Sequence, residues 1–386
     1  MAGWGSSTSP VSIIRERNGE AVITPPDVPA GARRPGTSRR RRIVNVAGSL
    51  LLGVLVTILV AAAFIRVPYV IVSPGDATAL DTHVVTISGP PTYPHAQRLL
   101  FLTVQVTNQD PNLYRYVFAQ LDSTVSVQKK QDVIGCASYA ANARLNDLLM
   151  RDSQDTAKEV ALTRLGYPVT HLGDQVVIAD VACGGPSDHH LQLGDLITAV
   201  DGHAVTTATD VKPLVVAHHP GDVVHLTVRR GAQTLTVAVR AGRSGNTAYL
   251  GILTQTLGSW RFPFTVTIDT QRVSGPSAGL AFTLAVIDDL TPGDLTGGRR
   301  VAVTGTIEPD GSIGPVGGVA QKAITAERNG ATALIVPIDE AQDARSHAGH
   351  LRIFTVRTIN DALSALHQLG GASLPPPPPS TTTTAP

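Results

Sequence analysis

Gly275-Pro276-Ser277-Ala278-Gly279-Leu280, followed at position 322 by the one lysine that falls after residue 212, decides how this chain reads. The hexapeptide places a serine among small residues, directly ahead of an apolar run that Thr291-Pro292-Gly293 stops. Ser277 therefore stands at the entrance of a helix predicted over 277–290. Unpaired N–H groups and the dipole at a helix start favour negative charge, and Gly275, Ala278 and Gly279 let a carbonyl oxygen approach the backbone. Alone, such a serine is more commonly a helix cap. Lys322 shifts the reading. The chain holds five lysines against twenty-six arginines, so a surface cation here is normally arginine. Arginine cannot be deprotonated, whereas a buried lysine can lose its proton and act as a base. A helix predicted over 319–329, stopped by Gly330, puts Lys322 on one face with Gly318, Val319 and Ala326, so its amine leaves from a stripe of small residues. Burial there lowers its pKa toward neutrality, as activation of a serine hydroxyl requires. A snorkelling structural lysine is the competing reading on spacing alone.

Around these two residues, 246–370 alternates strands (265–268, 301–304, 333–336, 351–356) with helices (277–290, 319–329, 360–369), an α/β pattern. Ahead of it, 168–245 is mainly β, with strands over 175–181, 196–200, 223–228 and 234–239 separated by turns at Gly184-Gly185-Pro186, Asp201-Gly202 and Arg230-Gly231. A short helix starts after Thr209. Residues 66–167 show a strand over 99–106, a helical stretch over 137–149, and a second helix that Ser153 would cap and Gly166 would end. This part carries no chemical motif and reads as an extracytoplasmic, membrane-proximal packing region. The pairs His189-His190 and His218-His219 lack the converging spacing of a metal site and read as loop histidines. No metal and no cofactor are expected.

Ile43 to Ile65 is twenty-three residues without a formal charge, long enough to cross a bilayer. Arg33, Arg34 and Arg39 to Arg42 precede it, and Arg66 is the only Lys or Arg between it and Arg98, so the N-terminus is expected in the cytosol and everything after the span outside. Ala61-Ala62-Ala63 would suit a signal peptidase, but the apolar run exceeds a usual signal core and follows a long N-terminal stretch. The ends, 1–42 and 371–386, read as disordered tails, the first Gly/Pro/Ser/Arg-rich and the second Pro/Thr-rich. Cys136 and Cys183 would lie outside, where they either form a bridge or remain two small buried thiols. With a net charge of +1 and 4% aromatic residues, a nucleic-acid platform is set aside.

Leu193-Gly194-Asp195-Leu196-Ile197-Thr198-Ala199-Val200-Asp201-Gly202 resembles the core of PDZ domains, which bind extended peptides along a sheet edge. Gly275 to Leu280, Leu290 to Gly298, Thr304-Gly305 and Gly314-Pro315-Val316-Gly317-Gly318-Val319-Ala320-Gln321-Lys322 resemble the proteolytic domain of Lon proteases, and more closely the membrane-anchored, PDZ-containing Lon-like proteins of bacteria. The resemblance implies a multi-domain chain: one N-terminal transmembrane helix (43–65), a mainly β PDZ-like domain (168–245) and a C-terminal α/β (α+β) Lon-type proteolytic domain (246–370). It further implies Ser277 as nucleophile, Lys322 as general base, Thr304 orienting the lysine amine, and Gly275 and Ala278 in the oxyanion region. Ser274 stands where many Lon proteins have a charged residue. A serine endopeptidase in a bacterial plasma membrane follows, acting on protein or peptide substrates and forming homo-oligomers. No GxxxxGK[ST] run occurs and no lysine follows a glycine, so ATP independence is expected. Two alternatives are weighed. Gly275-x-Ser277-x-Gly279 also fits the nucleophile elbow of α/β-hydrolase esterases, with His347, His350 or His367 as base, but no HGGG-type loop precedes it. An inactive PDZ scaffold is the other.

Overall fold

The computed structural model describes residues 39–93, 98–271 and 273–374. Most of both expected tails lies outside these. Helix α1 (Arg39–Phe64) begins a turn before the expected span. Its stretch Ile43–Phe64 has a mean hydropathy of 2.5, and its large apolar side chains are exposed. Twenty-two residues at about 1.5 Å each give roughly 33 Å, enough for a hydrocarbon core of about 30 Å.

After α1 come β1 (Tyr69–Ala79), β2 (Val85–Ser88), β3 (Leu99–Val106), α2 (Leu113–Leu121), β4 (Ser126–Lys129), α3 (Lys130–Ile134) and α4 (Tyr139–Arg164). Ser138 caps α4, accepting from the Ala141 N–H. The two helices expected over 137–149 and from Ser153 are thus one, and Ser153 sits inside it, buried, instead of capping a new start. Gly166, with φ of 81°, follows its end as expected.

The middle segment contributes β5 (Thr170–Val181), β6 (Leu196–Val200), β7 (His203–Ala204), α5 (Ala208–Val216), β8 (Val223–Arg230), β9 (Gln233–Arg240), β10 (Gly242–Ser244), β11 (Thr247–Tyr249) and β12 (Ile252–Arg261). Its sheet runs β12-β5-β6-β8-β9, with β7 paired to β6, around a core that includes Val176, Ile178, Ile197, Leu226 and Val239. Asp195, fully buried, is held by Arg230 through two 2.7 Å hydrogen bonds, a paired arrangement that offsets the burial of charge. Strand β12 lies beyond residue 245, where the sequence reading ended this domain. It pairs with β5 from Ile252↔Val181 to Arg261↔Thr170, so the sheet draws on residues that had been assigned to the following segment.

The remainder is β13 (Thr265–Ile268), α6 (Gly279–Leu290), β14 (Val301–Val303), α7 (Val319–Arg328), β15 (Ala333–Pro337), α8 (Ala341–Ser346), β16 (Arg352–Val356) and α9 (Ile359–Gln368). The second large sheet is ordered β16-β15-β14-β3-β1-β4. β14 is parallel to both β15 and β3, while β1 is antiparallel to β3 and β4. Side-chain alternation splits the core between two faces. Leu99, Phe101, Val301, Val303, Ala333 and Ile335 face the layer of α4, α6 and α9, whereas Leu100, Leu102, Ala302, Leu334 and Val336 face α7 and α8. The region 66–167 is therefore half of this α/β layer, with β2 also pairing β13. This packing region shares one hydrophobic core with the C-terminal segment, because β3 has its parallel partner some 200 residues later in the chain.

Candidate active site

β14 stops at Val303, so Thr304, with no exposed surface, sits at the carboxyl end of a central strand between two helix layers. One layer sends the loop before α6 to this point and the other sends α7. Lys322 Nζ donates to Thr304 Oγ1 at 3.0 Å, and Thr304 Oγ1 donates to the Ser277 carbonyl at 3.1 Å. The Gly305 N–H donates to the same carbonyl at 3.0 Å. Ser277 is thus tied through its backbone to the end of β14, two hydrogen bonds from the lysine amine. Its own hydroxyl is half-buried and has no hydrogen-bond partner among the described residues.

The loop that carries Ser277 is held from α4. Asn146 O accepts from Gly275 N at 3.0 Å, and Ser153 Oγ donates to Pro276 O at 3.0 Å. Gly275 has φ of 95°, a left-handed conformation that a side chain disfavours. α6 starts at Gly279, so Ser277 lies just outside the helix expected to begin with it. The Gly275 amide is thus engaged by the Asn146 carbonyl. The Ser277 and Ala278 amides, by contrast, donate to no acceptor among the described residues. On the opposite side, Gly318 caps α7 at φ of 68°, and a Cβ there would come within 2.8 Å of Val104 Cγ1. Only glycine lets α7 seat closely on β3.

Lys322 is 1% exposed. Burial pushes its amine down to about 7, opposed by the Glu340 carboxylate, which favours the ammonium. Glu340 Oε1 accepts from Val316 N at 3.1 Å, just ahead of α7, and Oε2 is buried without a hydrogen-bond partner. Its own carboxyl is raised, chiefly by burial. On α4, burial pushes Asp152 up to about 7 while its Oδ1 accepts from Gly258 N of β12 at 2.9 Å. One turn of α4 thus grips both the nucleophile loop and the middle sheet.

Asn146 and Glu340 carry no sequence signal as site residues, and Ser153 reads from sequence only as a helix cap. A signal existed for Ser153, since Met150, Ser153, Ala157 and Val160 fall on one buried face, where a polar residue needs a partner. Nothing marked Glu340. Of the histidines considered as bases, the His347 ring contacts Asp343 O and the His367 ring contacts Gly371 O; none of the three bonds to Ser277. His218 meets Asp201 at 2.7 Å, and no group of three His, Cys, Asp or Glu among the described residues is arranged to hold a metal.

A desolvated lysine is thus linked through a threonine to the main chain of a serine on an α/β layer, and a separate mainly β sheet lies earlier in the chain. Comparison places both halves. Residues 163–240 match the PDZ domain and residues 270–368 match the Lon protease (S16) C-terminal proteolytic domain, so the chain carries one of each. Lon protease 1 of Bacillus subtilis is 30% identical over 150 residues, covering 38% of this chain and 18% of that protein. The Lon protease of Ureaplasma parvum is 41% identical over 66 residues, 17% of this chain and 8% of that protein. A PDZ domain of an SdrC-like protein from Listeria innocua aligns at 23% identity with a TM-score of 0.20, covering 21% of this chain and 92% of that one. The chain spans less than a fifth of the length of these Lon relatives.

Proposed function

We propose that this protein is a membrane-anchored, ATP-independent serine endopeptidase that cleaves extended or unfolded protein chains. Ser277 is the nucleophile, Lys322 the general base and Thr304 the group that orients the amine. The observation that carries this reading is the Lys322–Thr304–Ser277 chain, with an amine whose pKa lies at about 7. A neutral Lys322 takes the Ser277 proton as Oγ attacks the peptide carbonyl carbon, and the oxyanion is received by the Ser277 and Ala278 amides. The proton passes to the leaving amine, giving an acyl-enzyme. Water then attacks the ester and gives a proton to Lys322, which passes it to Ser277 Oγ as the acyl–oxygen bond breaks, releasing the acid and restoring the neutral amine.

The Cys136–Cys183 bridge supports an oxidising location, and α1 is long and apolar enough to anchor the chain in a bacterial plasma membrane with the catalytic part outside. The PDZ domain recruits or gates the substrate. The test is cleavage of an unfolded protein by detergent-solubilised full chain, by Ser277→Ala and by Lys322→Ala, with and without ATP. Cleavage by the unsubstituted chain alone, unchanged by ATP, supports the reading. Cleavage that survives either substitution refutes the dyad, and ATP dependence refutes the autonomy.

A further inference from the structure

Helix α2 presents an apolar face to solvent. Val117, Phe118 and Leu121 are 47%, 69% and 77% exposed, and Leu121 stands four residues after Val117 and three after Phe118, so the three share one side. Exposed clusters of large apolar groups mark contact surfaces, and what covers this one follows from where α2 is tied. The Leu113 N–H donates to Ile65 O at 3.0 Å, and Val67 N–H to Pro111 O at 3.0 Å. Arg66 pairs with Asn112 as an isolated bridge, and its Nη1 donates to Asp110 O at 3.0 Å. The start of α2 is therefore stitched to the three residues that follow Phe64, the last residue of the apolar span.

A nine-residue helix is about 14 Å long, and the polar zone on each side of a bilayer is roughly 6 Å deep, so a helix starting at the end of a span stays within reach of lipid only if it lies flat. The side chains of α2 suit that position. It contains no acidic residue, carries two tyrosines, and has the exposed cation Arg115, with Arg66 beside its cap. Aromatic rings and snorkelling cations are the groups that settle at the boundary between acyl chains and phosphates.

We propose that α2 is an interfacial helix that buries Val117, Phe118 and Leu121 in the phospholipid leaflet from which α1 emerges. This rests on α1 being a membrane anchor. The turn after α2 accepts from Gln321 Nε2, next to Lys322, through Thr124 O at 3.4 Å, so the segment that follows the docked helix touches α7.

The test reconstitutes the full chain in vesicles of brominated phosphatidylcholine and phosphatidylglycerol, and reads the tryptophan emission that each substitution adds to the unsubstituted protein. Leu55→Trp reports the anchor, Phe118→Trp the α2 face, and Val223→Trp, on an exposed strand position, the aqueous background. The expected result is strong quenching by brominated lipid for Leu55→Trp and Phe118→Trp and none for Val223→Trp. Quenching of Leu55→Trp without Phe118→Trp overturns the interfacial helix while leaving the anchor standing. In that case, shielding of Phe118→Trp from aqueous acrylamide would show a second protein copy covering the face. Absence of quenching at Leu55→Trp removes the anchor and the proposal with it. Because Phe118 is exposed, its replacement does not threaten the fold.

Discussion

Lys322 should make this protein less stable than it could be, and Lys322→Met measures by how much. Its pKa of about 7 against an ordinary 10.5 means that the folded chain resists the proton that the unfolded chain accepts. At about 1.4 kcal/mol per tenfold, holding the ammonium costs roughly 5 kcal/mol below pH 7 and about 4 kcal/mol at pH 7, where half the amine is neutral. Methionine fills a similar volume without charge, but gives up the hydrogen bond to Thr304, worth about 1 kcal/mol. The variant should therefore be more stable by about 3 kcal/mol at pH 7. The sign is set by proton binding. Between pH 7 and 10.5 the unfolded state carries the proton and the folded state does not, so the parent gains stability as pH rises, and the advantage of Lys322→Met vanishes at about pH 10 and reverses above it as the lost hydrogen bond comes to dominate. Denaturant titrations of both proteins, followed by circular dichroism across this window, read the difference directly. A variant less stable at pH 7, or a difference independent of pH, would refute the idea that a desolvated amine sits at this site.

Three further outcomes are expected. Turnover should rise with pH through about 7 as Lys322 loses its proton, and Glu340→Gln should move that rise to lower pH, since the carboxylate favours the ammonium; a rise that stays put or moves upward counts against the coupling. Ser153→Ala removes the hydrogen bond to Pro276 O and should lower kcat about tenfold, equivalent to roughly 1.4 kcal/mol, with KM nearly unchanged; an equal loss in KM would mean a binding role. Replacing Cys136 and Cys183 by serine opens a 47-residue loop and should cost about 4 kcal/mol in the unfolding of the middle sheet and α4; an unchanged midpoint would show the bridge to be dispensable.

Local elements were legible where the strand signal is clean. Leu99–Val106 and Leu196–Val200 end with their apolar runs, and Thr265–Ile268 has the ends that its alternation indicates. β12 was missed because irregular register between Leu253 and Thr254 and between Ser259 and Trp260 breaks its two-residue period. α4 was divided in two because Ser153 reads as a cap when its partner, the Pro276 carbonyl, lies 123 residues away. The site shows the same split. Ser277 and Lys322 stand out by composition and spacing, and the structure brings both to Thr304. Asn146 acts through its main-chain carbonyl, which any residue could supply, and the Glu340 carboxylate accepts from the Val316 main-chain N–H, so neither contact leaves a trace in a residue pattern.

The order in which the chain is made bears on the pairing of β3 with β14. Leu99 meets Val301 across a gap filled by the whole PDZ sheet, so a growing chain can complete that sheet with β12 while β3 still lacks its partner. Ser277 and Lys322 converge only once Thr304 is held between them, after the last strand of that sheet has been made. A growing chain can therefore hold a finished PDZ sheet before it holds the hydrogen-bond chain from Lys322 through Thr304 to the Ser277 carbonyl.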